Sequence, residues 1–228
     1  MSIPKEPRQL MINLMYLVLT AMLALNVSAE IINAFFMVDK GITKSNKIVG
    51  TANEQIISAI EKTIEAYPKN KQYEEKAKKA HELANKFSAY VQEIREQVIT
   101  ESGGYAEDGK PAGKKDKEVT TRILVNEGKG AELEKEIQKI RAELLALIDD
   151  PKDKLSFASS LALEIDSSYI NSNKKDWASY NFDHMPVAAV LPMFSKFQND
   201  AKTSETALLN YFAKKQKAQK LNLTLLSQ

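Results

Sequence analysis

The chain contains no cysteine. Disulfides, thiolate metal sites and a cysteine nucleophile are therefore excluded. Histidine is scarce: His81 and His184 are the two present. They lie far apart and lack the spacing of metal ligands. A solvent-exposed or capping role fits each. No Gly-x-Ser-x-Gly or His-Glu-x-x-His pattern occurs, and no catalytic carboxylate pair stands out from the many acids interleaved with lysines. No cofactor, no metal and no catalytic residue is expected; the chain does not read as an enzyme. Glycine is thin too. The eight glycines leave 51–102 and 131–228 without one. Such stretches, rich in Ala, Glu, Lys and Leu, read as helix. Nor is there an excess of one charge. Lys and Arg total 32 against 30 Asp and Glu, a net charge of +2. A nucleic-acid partner needs a basic face, so none is expected. The lysine clusters at 110–117 and 214–220 read as a solvated loop and a solvated helix face.

The strongest positive feature is apolar. Leu10 to Ala29 reads LMINLMYLVLTAMLALNVSA, twenty residues without a formal charge. At about 1.5 Å per residue they span roughly 30 Å, the thickness of a bilayer core. Lys5 and Arg8 precede the run, which places the N-terminus in the cytoplasm and everything after it across the membrane. A cleaved signal peptide is the rival reading, with Val27-Ser28-Ala29 as its cut site. Against it, Ile31, Ile32, Phe35, Phe36 and Val38 continue the apolar pattern at helical spacing past that site. A transmembrane helix with an extension over 10–38, after a short tail of 1–9, is the better reading.

Polar residues interrupt the run in two groups. At about 100° per residue, Gln9, Asn13, Tyr16 and Thr20 fall on one side, and Arg8, Asn26, Glu30 and Asn33 on another. One such stripe is tolerable in lipid; two are costly, because unsatisfied polar groups are expensive there. Other membrane helices are expected around this one. No second hydrophobic span occurs in the sequence, so they would come from partner subunits.

Beyond the span, residues 39–220 read as a helical bundle. Ile42, Val49, Ala52, Ile56, Ile60 and Ile64 form one stripe, and Tyr67-Pro68-Lys69-Asn70 a turn. A helix over about 70–101 carries a heptad seam from Tyr73 through Phe87 to Val98. Residues 102–118 read as a flexible polar connection. A third helix follows over about 130–150, with Leu133, Ile137, Ile140, Leu144 and Leu147 inward. Residues 152–170 read as weakly helical, and 171–185 as a loop holding Trp177, the single tryptophan. Trp177, Phe182 and Met185 are better suited to closing a bundle end than to caging a ligand. The last long helix starts near Pro186. Residues 221–228 alternate apolar and polar, as a linker or the first strand of a following domain would. The expected fold is all-α: one N-terminal transmembrane helix, then an elongated periplasmic antiparallel helical bundle.

Two stretches carry a resemblance. EPRQLMINLMYLVLTAMLALNVSAEIINAF resembles the N-terminus of the GldM/PorM family of the Bacteroidetes type 9 secretion and gliding machinery. WASYNFDHMPVAAVLPMFSKFQNDAKTSETALL is similar to the same family's first periplasmic domain. The resemblance implies an inner-membrane, proton-driven motor subunit. Two such helices sit inside a ring of five GldL subunits, and the subunit carries motion outward to periplasmic secretion-system components. It implies a homodimer, and further β-rich domains after the helical one. It also implies that Arg8 pairs with a partner glutamate in the membrane, and it carries over to Tyr16 as a polar contact; Asn13, Thr20, Asn26 and Glu30 are expected as further intramembrane polar contacts from the two stripes alone. A second class of function remains open beside it, a membrane-anchored periplasmic helical sensor or structural spacer.

Overall fold

The computed structural model describes residues 7–25, 29–66 and 70–226; side chains are described over the same ranges except 23–25, 64–66 and 219–226. Among these residues the chain is all-helical. A single isolated bridge, Tyr105 to Pro111, is the one β-type pairing. The helices are α1 (Pro7–Leu25), α2 (Ala29–Ala66), α3 (Lys71–Glu101), α4 (Glu118–Thr120), α5 (Lys129–Ala146), α6 (Pro151–Ala158), α7 (Trp177–Phe182) and α8 (Val187–Leu226). A π-helical turn, Thr121–Asn126, continues α4, and a 3-10 turn covers Ser167–Asn171.

Local chemistry accounts for the boundaries. Asp150 caps α6 by accepting from the N–H groups of Lys152 and Asp153, and Pro151 takes the first helical position. Asp176 caps α7 by accepting from Ser179 N. The start of α8 is capped by backbone: Val187 N donates to Asp116 O at 2.9 Å and Ala188 N to Lys114 O at 3.0 Å. Two first-turn donors that a helix cannot satisfy internally are thereby paired. Pro192 lies inside α8 without ending it.

The core forms where α3, α5, α7 and α8 meet. Phe87, Ile123, Leu133, Ile137, Leu144, Phe182, Phe194 and Phe212 are all buried there. The α3 and α5 seams read from the sequence are the faces that pack: Ala77, Ala80, Ala84, Phe87, Val91, Ile94 and Val98 on α3, and Leu133, Ile137, Ile140 and Leu144 on α5. Arg141 ties the irregular segment after α6 to α5, donating to the carbonyls of Ala158, Leu161 and Leu163.

Four expectations change. The connection after α3 is an ordered loop rather than a flexible one. Gly103, Gly104 and Gly109 hold left-handed conformations, Ala106 N donates to Lys110 O, and Ala112 N donates to Gly104 O. Residues 171–185 are not all loop, because α7 buries Trp177 and Phe182 against Phe194 and Phe197. Residues 221–226 continue α8 as helix where a linker or strand was expected. Finally, the bundle is not uniformly antiparallel. Asn46 Nδ2 donates to Ser195 O at 3.0 Å, and Asn53 Nδ2 to Lys202 O at 3.1 Å. An advance of seven on α2 matches an advance of seven on α8, so these two long helices run parallel. The helix between them runs opposite to both: Arg95, Ser88 and His81 meet Ser195, Gln198 and Glu205 in turn.

Among the described residues no helix is long and apolar enough to cross a membrane. The uncharged run Leu10–Ala29 is divided there between α1, the start of α2, and residues 26–28, which lie outside the described residues.

Candidate functional site

α1 is apolar and uncovered. Its side chains from Pro7 to Met22 are all exposed, including Leu10, Met11, Leu14, Met15, Leu17, Val18, Leu19 and Met22. It makes no substantial contact with another described element. Large contiguous apolar surface of this kind marks a place where something else packs. Arg8, Asn13, Tyr16 and Thr20 all lie on α1 and are exposed. Thr20 Oγ1 donates back to Tyr16 O at 2.6 Å, which satisfies that hydroxyl within its own helix. Glu30 stands in the first turn of α2, also exposed. Asn26 lies outside the described residues. The structure thus puts Arg8 near one end of α1 and Glu30 beyond the other; it does not bring the predicted polar residues into one cluster.

α2 is the unusual element. Among its described side chains, the buried residues are Ile32, Asp39, Asn46, Asn53 and Ile60, one every seventh position, and three of the five are polar. Of the apolar stripe read from the sequence, Ile60 lies in this seam, Ile42, Val49 and Ile56 are half-buried and Ala52 is exposed, while the Ile64 side chain lies outside the described residues. The polar residues meet α8 in a repeating pattern. Asn46 donates to Ser195 O while its own Oδ1 accepts from Asn199 at 2.7 Å. Asn53 donates to Lys202 O while its Oδ1 accepts from Thr206 at 2.7 Å. The same unit recurs one heptad on. A buried asparagine in such a seam fixes register at a cost in stability.

Toward the N-terminal end of the seam is an ion pair. Arg95 donates to Asp39 Oδ2 at 2.7 Å and Oδ1 at 2.9 Å, and also to Leu191 O at 3.1 Å and Ser195 Oγ at 3.2 Å. Ser195 Oγ donates to Asp39 Oδ1 at 2.6 Å. Three helices, α2, α3 and α8, are therefore joined through one carboxylate. A second buried acid lies farther along. Glu205 is fully buried, with Oε1 2.6 Å from His81 Nδ1, and His81 Nε2 is 2.9 Å from Asn85 Nδ2. His81 is thus a partner in an interhelical contact, not the solvent-exposed or capping residue expected.

Near the other end, Tyr211 donates to Asp153 Oδ2 at 2.8 Å and Lys215 lies 2.8 Å from the same oxygen. Burial and the bond to Asp153 push the Tyr211 hydroxyl up to about 12. Lys215 and Tyr211 hold the Asp153 carboxyl below its ordinary value. These groups pin α6 to α8. His184 adopts a left-handed conformation, with φ 56, and its N–H donates to Thr121 Oγ1 at 2.8 Å. A groove of about 550 Å³ beside His81 is lined by Glu54, Ile57, Glu61 and Lys78, without a nucleophile–base pair. Among the described residues no group of three or more His, Asp or Glu could hold a metal ion.

Comparison with protein families matches residues 30–215 to the GldM N-terminal domain. The chain belongs to the GldM family. The match covers the bundle from the first turn of α2 to the Tyr211–Lys215 contact, so the inside-out helix α2 is part of the GldM N-terminal domain itself. A GldM-family chain is a structural or motor-associated component related to gliding motility and type 9 secretion. Among curated proteins none is similar to this chain. Sequence reasoning missed Asp39, Arg95, Asn46 and Asn53 as the joint between α2 and the rest of the GldM domain. The available signal was the strict spacing of seven from Ile32 to Ile60.

Proposed function

We propose that this chain is the membrane-anchored subunit of a proton-motive-force-driven motor that powers type 9 secretion and gliding. α1 sits in the inner membrane within a ring of GldL-like subunits, and the bundle lies in the periplasm. The observation that carries this reading is α1 itself: an apolar helix with every described side chain exposed needs a membrane or other helices to cover it. Arginine stays protonated at any relevant pH, so Arg8 cannot carry the proton. Glu30 stands beyond the far end of the uncharged run. The proton-carrying acid is then on the partner, and Arg8 is its fixed counter-charge. Breaking a buried ion pair costs about 3–5 kcal/mol. One charge crossing the membrane yields about 2.3 kcal/mol per 100 mV. One or two protons suffice to release one pair per step.

The same reading makes the chain a homodimer through the outer face of α2. Ile31, Ala34, Val38, Gly41, Ser45, Ile48, Ala52, Gln55 and Ala59 are spaced by three and four, and all are exposed. Two chains inserted with the same polarity would bring these faces together in parallel. Motion then passes along α2 and α8 to periplasmic secretion-system components.

The test is Arg8→Ala in the full-length gene, scored for secretion or gliding and for pull-down of the membrane partner. Loss of motility with an intact complex is expected, and Arg8→Lys should fall between. Normal secretion would refute the counter-charge role, and loss of the complex would make Arg8 structural. For the dimer, Ile48→Cys in this cysteine-free chain should give a disulfide-linked pair on oxidation. A monomer throughout would exclude that face.

A further inference from the structure

We propose that the ordered loop at residues 102–117 is a lipid-headgroup contact, held against the membrane surface by the start of α2. The inference rests on the membrane-anchored reading above. It starts from a disproportion. Sixteen residues join α3 to α4, where helix connections in bundles usually need about two to eight, and long ordered loops are commonly functional. This one is built to be stiff. Its three left-handed glycines form fixed turns, Tyr105 and Pro111 pair across it, and Gly113 is pressed under Ser102, where a Cβ would lie 2.1 Å from a carbonyl oxygen.

Its position follows from what it touches. Lys110 Nζ lies 3.3 Å from Asn33 Oδ1 and 5.4 Å from the centre of the Phe36 ring. Asn33 is the fourth residue after Ala29, where the uncharged run ends. At about 1.5 Å per residue the contact stands roughly 6 Å beyond the hydrocarbon edge. The headgroup layer occupies about the first 5–8 Å there. The loop therefore shares the level of the lipid phosphates.

Its chemistry suits that level. Tyr105 is 55% exposed, with its hydroxyl bonded to Glu96 and its ring outward, as interfacial tyrosines sit. Lys110 Nζ is held by a neutral amide oxygen and a ring, and it forms no salt bridge among the described residues. Lys114 and Lys115 form no salt bridge among the described residues, and with Lys110 and Lys117 they outnumber the loop's acids, Glu107, Asp108 and Asp116, by one. Lysine ammonium groups near a bilayer surface attract phosphate and anionic headgroups. The carbonyls of Lys114 and Asp116 receive the first N–H groups of α8, so a loop resting on headgroups also fixes the start of that helix.

The experiment uses the full chain in nanodiscs containing anionic lipid. Single cysteines carry a fluorophore at Ala106 on the loop, at Lys71 at the start of α3, and at Leu17 in α1. Lipids bearing a nitroxide on the headgroup should quench most of the Ala106 signal and little of the Lys71 signal. Lipids bearing it on the acyl chain should quench Leu17. Replacing Lys110, Lys114 and Lys115 together by Gln should lower quenching at Ala106, leaving Leu17 quenching and the helical circular dichroism unchanged. Quenching at Ala106 no greater than at Lys71, with Leu17 quenched, overturns the headgroup contact and leaves the anchor standing. An unquenched Leu17 overturns the anchor and the loop contact together. Quenching at Ala106 that ignores the triple substitution refutes the lysines as its cause.

Discussion

Removing Arg95 is the sharpest test of how α2 is attached. The Arg95 and Asp39 side chains are 15% and 11% exposed, so the pair is largely withdrawn from water. Arg95→Ala deletes both bonds to the Asp39 carboxylate and leaves it only the 2.6 Å bond from Ser195. Breaking a buried pair from one side costs about 3–5 kcal/mol, because the remaining charge stays desolvated. For a chain of this size each kcal/mol lowers Tm by about 2–4 °C, so the expected drop is roughly 6–20 °C. Asp39→Leu combined with Arg95→Met should recover most of that loss, since an apolar pair removes the desolvation cost with the charges. The assay is thermal and urea unfolding of wild type, Arg95→Ala and the Asp39→Leu/Arg95→Met double variant in detergent. A loss under about 1 kcal/mol for Arg95→Ala would place the pair with ordinary surface bridges and refute the clasp.

Asn53→Leu should keep stability within about 1 kcal/mol of wild type, because the single Thr206 hydroxyl proton then turns to Lys202 O, 2.8 Å away, and keeps both groups paired. A large loss on urea unfolding would show that the seam contributes strongly to stability. Gly113→Ala should destabilise by about 1–3 kcal/mol, since its Cβ meets Ser102 O. Gly41→Ala, with nothing within 4 Å of the added Cβ, should stabilise the monomer by up to about 1 kcal/mol in the same measurement. Asp176 titrates below its ordinary value, because Ser179 hydrogen-bonds its carboxylate. A depressed folded value means its stabilisation is present above the unfolded value of about 3.9 and is lost as pH falls through the folded one. Asp176→Asn should therefore flatten the acid limb of a Tm-against-pH curve, and an unchanged limb would refute that contribution.

Apolar periodicity was a sound guide wherever it reported a buried face. The α3 and α5 seams follow from spacing because their inward residues are Ala, Val, Ile, Leu and Phe in alternating steps of three and four. The same logic failed on α2. A search for apolar stripes passes over Asp39, Asn46 and Asn53, although their spacing is as regular. Their partners lie 149 to 156 residues away on α8, and no local signal links such positions. His81 and Glu205 are hidden for the same reason, at a separation of 124. The loop after α3 misled in a different way. Glycine permits flexibility, but at Gly103, Gly104 and Gly109 it supplies left-handed turns that neighbouring hydrogen bonds then fix. The candidate site was legible as composition, a charged residue before a long apolar run. How α2 is fastened to α3 and α8 was not.

The parallel course of α2 and α8 sets how the domain responds to force. A pull applied between Ala29 on α2 and Leu226 on α8 would act at opposite ends of this pair, in which α2 alone is about 57 Å long. Pulled this way, the two helices are loaded in shear. The Asp39, Asn46 and Asn53 bonds take strain together, where an antiparallel pair gripped at one end would unzip bond by bond. Failure then requires several contacts to break in one event, and forced unfolding is governed by that rate. A joint made largely of short-range polar bonds is also brittle: it transmits displacement with little give up to its limit and then releases abruptly.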